Sequence, residues 1–117
     1  MKYTPEAYIL LCVESLETPT FTKAVLRLLD EEGYLQLQIA IAERPDAGAI
    51  IARSGGLRKL RWARPGGGKR GGVRVIYYWW VEGEGIYLLD LYPKNEKENL
   101  SAVELAALRK LVEEWNE

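Results

Sequence analysis

Apolar and polar positions repeat along this chain with two different periods. Tyr8 to Val13 is a short apolar run bounded by charge, which predicts a first strand. Thr18-Pro19-Thr20 has the residue types of a helix start, and Phe21, Val25, Leu28 and Leu29 follow at helical spacing up to a break expected at Gly33. Leu35 to Ile41 alternates like a strand, yet its Gln and Ala residues favour a helix, predicted to run to about Glu43. Arg44 to Gly48 reads as a turn.

Beyond it the pattern turns to period two. Ala49–Ala52, Leu57–Ala63, Val73–Val81 and Ile86–Tyr92 are predicted strands. They are separated by a glycine-rich loop at Pro65–Gly72 and a hairpin turn at Glu82–Gly85, and Pro93 stops the last of them. Ser101 with Glu104 forms a capping box ahead of a helix whose apolar stripe is Leu105, Leu108, Leu111, Val112 and Trp115. The order predicts one α+β domain over residues 1–117: an antiparallel β-sheet, two N-terminal helices and a C-terminal helix. The helices are expected on one sheet face, with the other free for a ligand.

Composition narrows the chemistry. The single cysteine, Cys12, excludes an intrachain disulfide and a cysteine zinc site, and its apolar setting predicts a buried, inert thiol in a reducing cytoplasm. Ala7–Val13 is too short to span a bilayer and no cleavage motif follows, so neither membrane nor secretory signal is expected. There is no histidine, which removes the usual acid/base residue and the commonest metal ligand. No metal or cofactor is expected, and catalysis would fall to Lys, Arg, Tyr, Asp, Glu, Ser or Thr.

The net charge of −1 conceals an asymmetry: Arg53–Arg74 carries eight of the 16 basic residues and no acidic one. A cationic patch on a mildly acidic body points to a polyanion partner at one place. Strand alternation puts Lys59 and Arg61 on one face and Arg58, Leu60 and Trp62 on the other. Arg74 shares a face with Ile76 and Tyr78, and symmetric pairing about the loop brings Arg61 beside Arg74. Like charges opposite one another destabilise a sheet, so this arrangement calls for a bound anion. A lysine among fixed cations surrenders its proton more readily, and arginine offers a planar fork to phosphate. RNA cleavage without metal needs a base for the 2′-hydroxyl, cations for the phosphorane and an acid for the leaving oxygen. Lys, Arg and Tyr can supply all three.

Other features carry less. Gly66-Gly67-Gly68-Lys69-Arg70 lacks the spacing and the Ser/Thr of a phosphate loop. Asp90 has no metal-ligand companion, and Glu96 and Glu98, among Lys94 and Lys97, read as solvated surface. Tyr77-Tyr78-Trp79-Trp80 suggests a base-stacking platform, but alternation sends half of it inward.

The segments Gly55-Gly56-Leu57-Arg58-Lys59-Leu60-Arg61-Trp62, Gly68 to Tyr78 and Tyr92-Pro93-Lys94-Asn95-Glu96-Lys97-Glu98-Asn99-Leu100-Ser101 resemble the HigB branch of the RelE/ParE toxin superfamily over roughly Val13 to Trp115. That resemblance implies a RelE-like fold and a ribosome-dependent, metal-independent endoribonuclease that cuts mRNA by 2′-hydroxyl attack. It implies a cognate antitoxin of the helix-turn-helix type, through which alone operator DNA is bound. By position Lys59 becomes the candidate general base, Arg61 and Arg74 the phosphorane ligands, and Lys94 or Lys97 the group assisting departure. Arg58, Arg64, Lys69 and Arg70 are candidates for holding RNA. RelE has a functional tyrosine where this chain reads Asn99-Leu100-Ser101, and Tyr92 is the substitute candidate. A ParE-like gyrase inhibitor and a non-catalytic domain that binds only RNA or antitoxin are the alternatives.

Overall fold

A computed structural model describes residues 14–63, 72–80 and 85–115. The strand predicted at Tyr8–Val13, Cys12, and most of the loop and hairpin turn lie outside them. Strand β1 (Glu14–Glu17) leads into helices α1 (Pro19–Leu28) and α2 (Glu31–Glu43). Strands β2 (Ala49–Ile50), β3 (Arg58–Trp62), β4 (Val73–Trp80) and β5 (Gly85–Pro93) follow, and helix α3 (Ala102–Trp115) ends the described chain. The sheet order is β1-β5-β4-β3-β2. All pairings are antiparallel except that β1 runs parallel to β5 at one edge. The predicted α+β architecture is the observed one.

Local chemistry sets the helix starts. Thr18 caps α1: its hydroxyl accepts from the Phe21 amide at 3.0 Å and donates to the Leu89 carbonyl at 2.7 Å, tying the helix to β5. The break between α1 and α2 falls at Leu29-Asp30, not at the expected Gly33. Asp30 is the cap, accepting from the Gly33 amide at 2.7 Å, so the glycine sits in the first turn of α2 rather than ending a helix. The Ser101–Glu104 capping box forms as expected, with reciprocal bonds of 3.1 and 2.9 Å.

β4 is the spine of the core. Val73, Val75 and Tyr77 point into one apolar cluster with Phe21, Val25, Leu37, Ile41 and Leu88. Ile76, with Tyr78 and Trp80 packed alongside, belongs to a second cluster with Leu57, Tyr87, Leu89 and Val112. The helices therefore lie on both faces of the sheet, α1 and α2 on one and α3 on the other. This corrects the expectation of a bare second face: the apolar side of β4 and the stripe of α3 each need cover, and they cover each other. A bulge at Leu89 shifts the β4–β5 register, so that Tyr77 pairs with Leu88 but Ile76 pairs with Asp90. Arg74 is consequently paired with Tyr92.

Candidate functional site

The end of the second face that α3 leaves uncovered carries the cations. In the β3–β4 ladder Arg61 is directly opposite Arg74, as alternation predicts, and Lys59 is opposite Ile76. The anion that this pairing demands is already present in the chain. Both carboxylate oxygens of Glu98 lie 3.1 Å from Nη2 of Arg74, and one lies 3.8 Å from Nη2 of Arg61. Hydrogen bonding from Arg74, followed by the charges of Arg74, Arg61 and Lys59, outweighs desolvation and holds the Glu98 carboxyl below its ordinary value. Glu98, expected to be a solvated surface residue, is exposed, and it is also the counter-ion of the cluster. Arg74 was expected to face solvent, yet it is 5% exposed, and its buried Nε has no hydrogen-bond acceptor among the described residues.

The next residue completes the arrangement. Lys59 donates from Nζ to Oδ1 of Asn99 at 2.6 Å. Tyr92 lies across the ladder from Arg74, and its hydroxyl donates to the Glu98 carbonyl at 3.4 Å. Burial, with the Asp90 charge, pushes the Tyr92 phenol up to about 12. At 3% exposure the residue has almost no free surface. The Lys97 ammonium lies 4.8 Å from the centre of that ring and pairs with Glu104. A groove of about 660 Å³ opens beside these groups, lined by Lys59, Arg61, Tyr92 and Asn99 and by apolar Ile50, Ile51, Ile76, Leu100 and Leu105.

Not every candidate joins the cluster. Arg58 lies on the opposite face, where its guanidinium donates to the Gly48 carbonyl at 2.8 Å and sits 5.9 Å from the Trp79 ring centre. Lys94 stands on the exposed turn after β5, where its backbone amide donates to the Gly72 carbonyl at 3.0 Å. Arg64, Lys69 and Arg70 lie outside the described residues. Glu98 and Asn99 were missed by sequence reasoning. A signal was available: two arginines opposite one another need an anion, and the segment after β5 supplies only Glu96 and Glu98.

Asp90, which the sequence leaves without a metal-ligand companion, is partly buried. Burial raises its carboxyl above the ordinary value, while the Leu91 amide and the Lys97 charge pull it down. For an acid raised by folding, the penalty exists where the group is ionised and disappears as pH falls below the unfolded value. Asp90→Asn keeps an oxygen for the Leu91 amide and removes the buried charge. It should therefore raise the melting temperature at neutral pH, with the gain shrinking as the solution is acidified through the carboxylate range. Thermal scans of both chains across that range check this; a gain independent of pH would trace to shape rather than charge.

Among the described residues no group of three or more His, Cys, Asp or Glu side chains could hold a metal ion, and no helix is long and apolar enough to cross a membrane. Comparison with known proteins adds two findings. The family described as "RelE toxin of RelE / RelB toxin-antitoxin system" matches residues 22–117. Among solved structures the chain is similar to a mutant of E. coli toxin RelE, with two arginines changed to alanine, in the free state. That likeness has a TM-score of 0.52 at 15% identity and covers 74% of this chain and 87% of the other, which is a likeness of fold.

Proposed function

The chain belongs to the RelE toxin family, the toxin side of a toxin–antitoxin system with a cognate antitoxin as partner, and on that premise we propose that it inhibits translation by cutting mRNA on the ribosome. The observation that carries this reading is the gathering of Lys59, Arg61 and Arg74 on one face beside a groove, with the two arginines already gripping a carboxylate. Lys59 takes the proton of the 2′-hydroxyl, and the 2′-oxygen attacks phosphorus. Arg61 and Arg74 neutralise the charge that builds on the phosphorane oxygens. The bond from phosphorus to the 5′-oxygen breaks, and Lys97 returns a proton to that oxygen. The products are a 2′,3′-cyclic phosphate and a free 5′-hydroxyl. Tyr92 holds the backbone of Glu98 at the edge of this set. The helix-turn-helix character of the antitoxin belongs to the same proposal.

The test is a translating extract. Adding the protein should stop synthesis and leave cuts within translated codons. Cleavage should persist after the isolated toxin is treated with EDTA, because the proposed roles use only Lys and Arg. Stalled ribosomes on intact mRNA would replace the nuclease by an RNA-binding domain, and intact mRNA with inhibited gyrase would select the ParE-like activity.

A further inference from the structure

We propose that Glu98 is an internal substitute for the substrate phosphate: its carboxylate fills the Arg61–Arg74 seat in the idle toxin and must leave before RNA can enter. The proposal rests on the reading that this face receives an RNA phosphate, and it specifies how that face is regulated.

The geometry is that of an occupant rather than a fixed strut. A carboxylate holds arginine best through two parallel bonds to two nitrogens. Here both Glu98 oxygens converge on the single Nη2 of Arg74, and Nε has no acceptor among the described residues. The contact to Arg61 is looser still, at 3.8 Å. Glu98 is itself 45% exposed although its partner is buried, so turning its side chain outward opens the seat without disturbing the core. Its neighbour Asn99, also exposed, holds Lys59. Two consecutive residues thus cover all three cations, and they belong to a segment without helix or strand between β5 and the capping box of α3.

The consequence for binding follows from charge. A free polyanion meeting this face gains little at the seat, because the arginines already have a carboxylate. It also meets the repulsion of Glu98 once that side chain is expelled. Only a phosphodiester held in place by further contacts competes well. Glu98 thereby suppresses capture of loose RNA and favours strands already positioned.

Glu98→Gln in the full chain, probed with inorganic phosphate and a 2′-deoxy oligonucleotide that cannot be cleaved, tests this. In chloride buffer the variant should melt below the parent. Phosphate at constant ionic strength should restore its melting temperature while moving the parent much less. The oligonucleotide should bind the variant roughly tenfold tighter, the size of one close charge contact at a partly screened surface. Its salt dependence should steepen by about 0.7 in log–log slope, for the one extra cation made available to a single strand. Should the Gln variant not fold, Glu98→Asp retains the charge with a shorter reach, and it should bind the oligonucleotide more tightly than the parent. Binding no tighter than the parent in the folded variant, or lost stability that phosphate does not restore, would make Glu98 a structural anchor of Arg74 and overturn the proposal. None of these readouts involves cleavage, so they decide the seat independently of whether the nuclease reading survives.

Discussion

Lys59→Ala is expected to slow single-turnover cleavage on programmed ribosomes by about 10²–10⁴-fold, the usual contribution of one general base, while leaving ribosome binding nearly unchanged. Lys59 is the lysine within the β3–β4 pair, and its neighbours Arg61 and Arg74 carry guanidinium groups, which suit fixed charge rather than proton transfer. Its Nζ reaches only the exposed Asn99 among the described residues, so truncation breaks no buried pair and should barely move the melting temperature. Arg74→Ala is the informative contrast. Sequence alone placed that side chain on an open surface, where its loss would spare the fold. Its burial against Glu98 means that truncation opens a void and removes a pair, so stability should fall together with rate and binding. Cleavage by the Lys59 variant at the parental rate would remove the base assignment.

Tyr77→Ala should cost about 3–5 kcal/mol of folding free energy, the range for truncating a buried aromatic side chain. Tyr77 is fully buried at the centre of β4 and packs in the larger apolar cluster. Its hydroxyl accepts from the Gly48 amide at 2.8 Å and donates to the Pro45 carbonyl at 2.7 Å. That phenol pins the turn leading into β2, and Gly48 has no room for a side chain, since a Cβ there would lie 2.8 Å from the ring. A domain of this size has about 5–15 kcal/mol in hand, so the variant would be marginal at physiological temperature. Tyr77→Phe separates the two contributions: it keeps the ring and should lose only about 1–3 kcal/mol for the unsatisfied amide and carbonyl. Chemical denaturation of the three chains measures both, and an Ala variant no weaker than the Phe variant would show that the ring contributes little.

What the sequence discloses here is what short range determines. Alternation along Arg58–Trp62 and Val73–Trp80 sorts the side chains by face, and the Arg61–Arg74 pairing follows from two strands folding back symmetrically about one loop. The capping box at Ser101 is legible for the same reason, because its partners are three residues apart. Glu98 is not legible in this way. Its contact with Arg74 spans 24 residues and depends on how an irregular segment turns after Pro93, which no periodicity encodes. The parallel pairing of β1 with β5 is set by contacts still more distant along the chain, such as Glu14 with Gly85. The expected helix break at Gly33 differs from the observed one because the side chain of the aspartate three residues earlier satisfies the glycine's own first-turn amide. The position of α3 depends on which face is left apolar once α1 and α2 have docked, a competition that only the assembled sheet resolves.

The one-residue bulge in β5 has a consequence beyond local irregularity. Had the ladder run without it, Leu89 would stand beside Ile76 and Leu91 beside Arg74, and Tyr92 would be turned towards α1 and α2. The extra residue inverts the parity of the strand halfway along. Up to Leu88 its inward and outward positions serve packing under one rule; from Asp90 onward they are exchanged, and the polar side chains emerge on the side of the arginines. β5 is therefore two strands in phase opposition, one half given to packing and one that carries Asp90 and Tyr92 to the arginine face. Each can change its alternation pattern without requiring the other to follow, provided the residue that separates them stays in the chain.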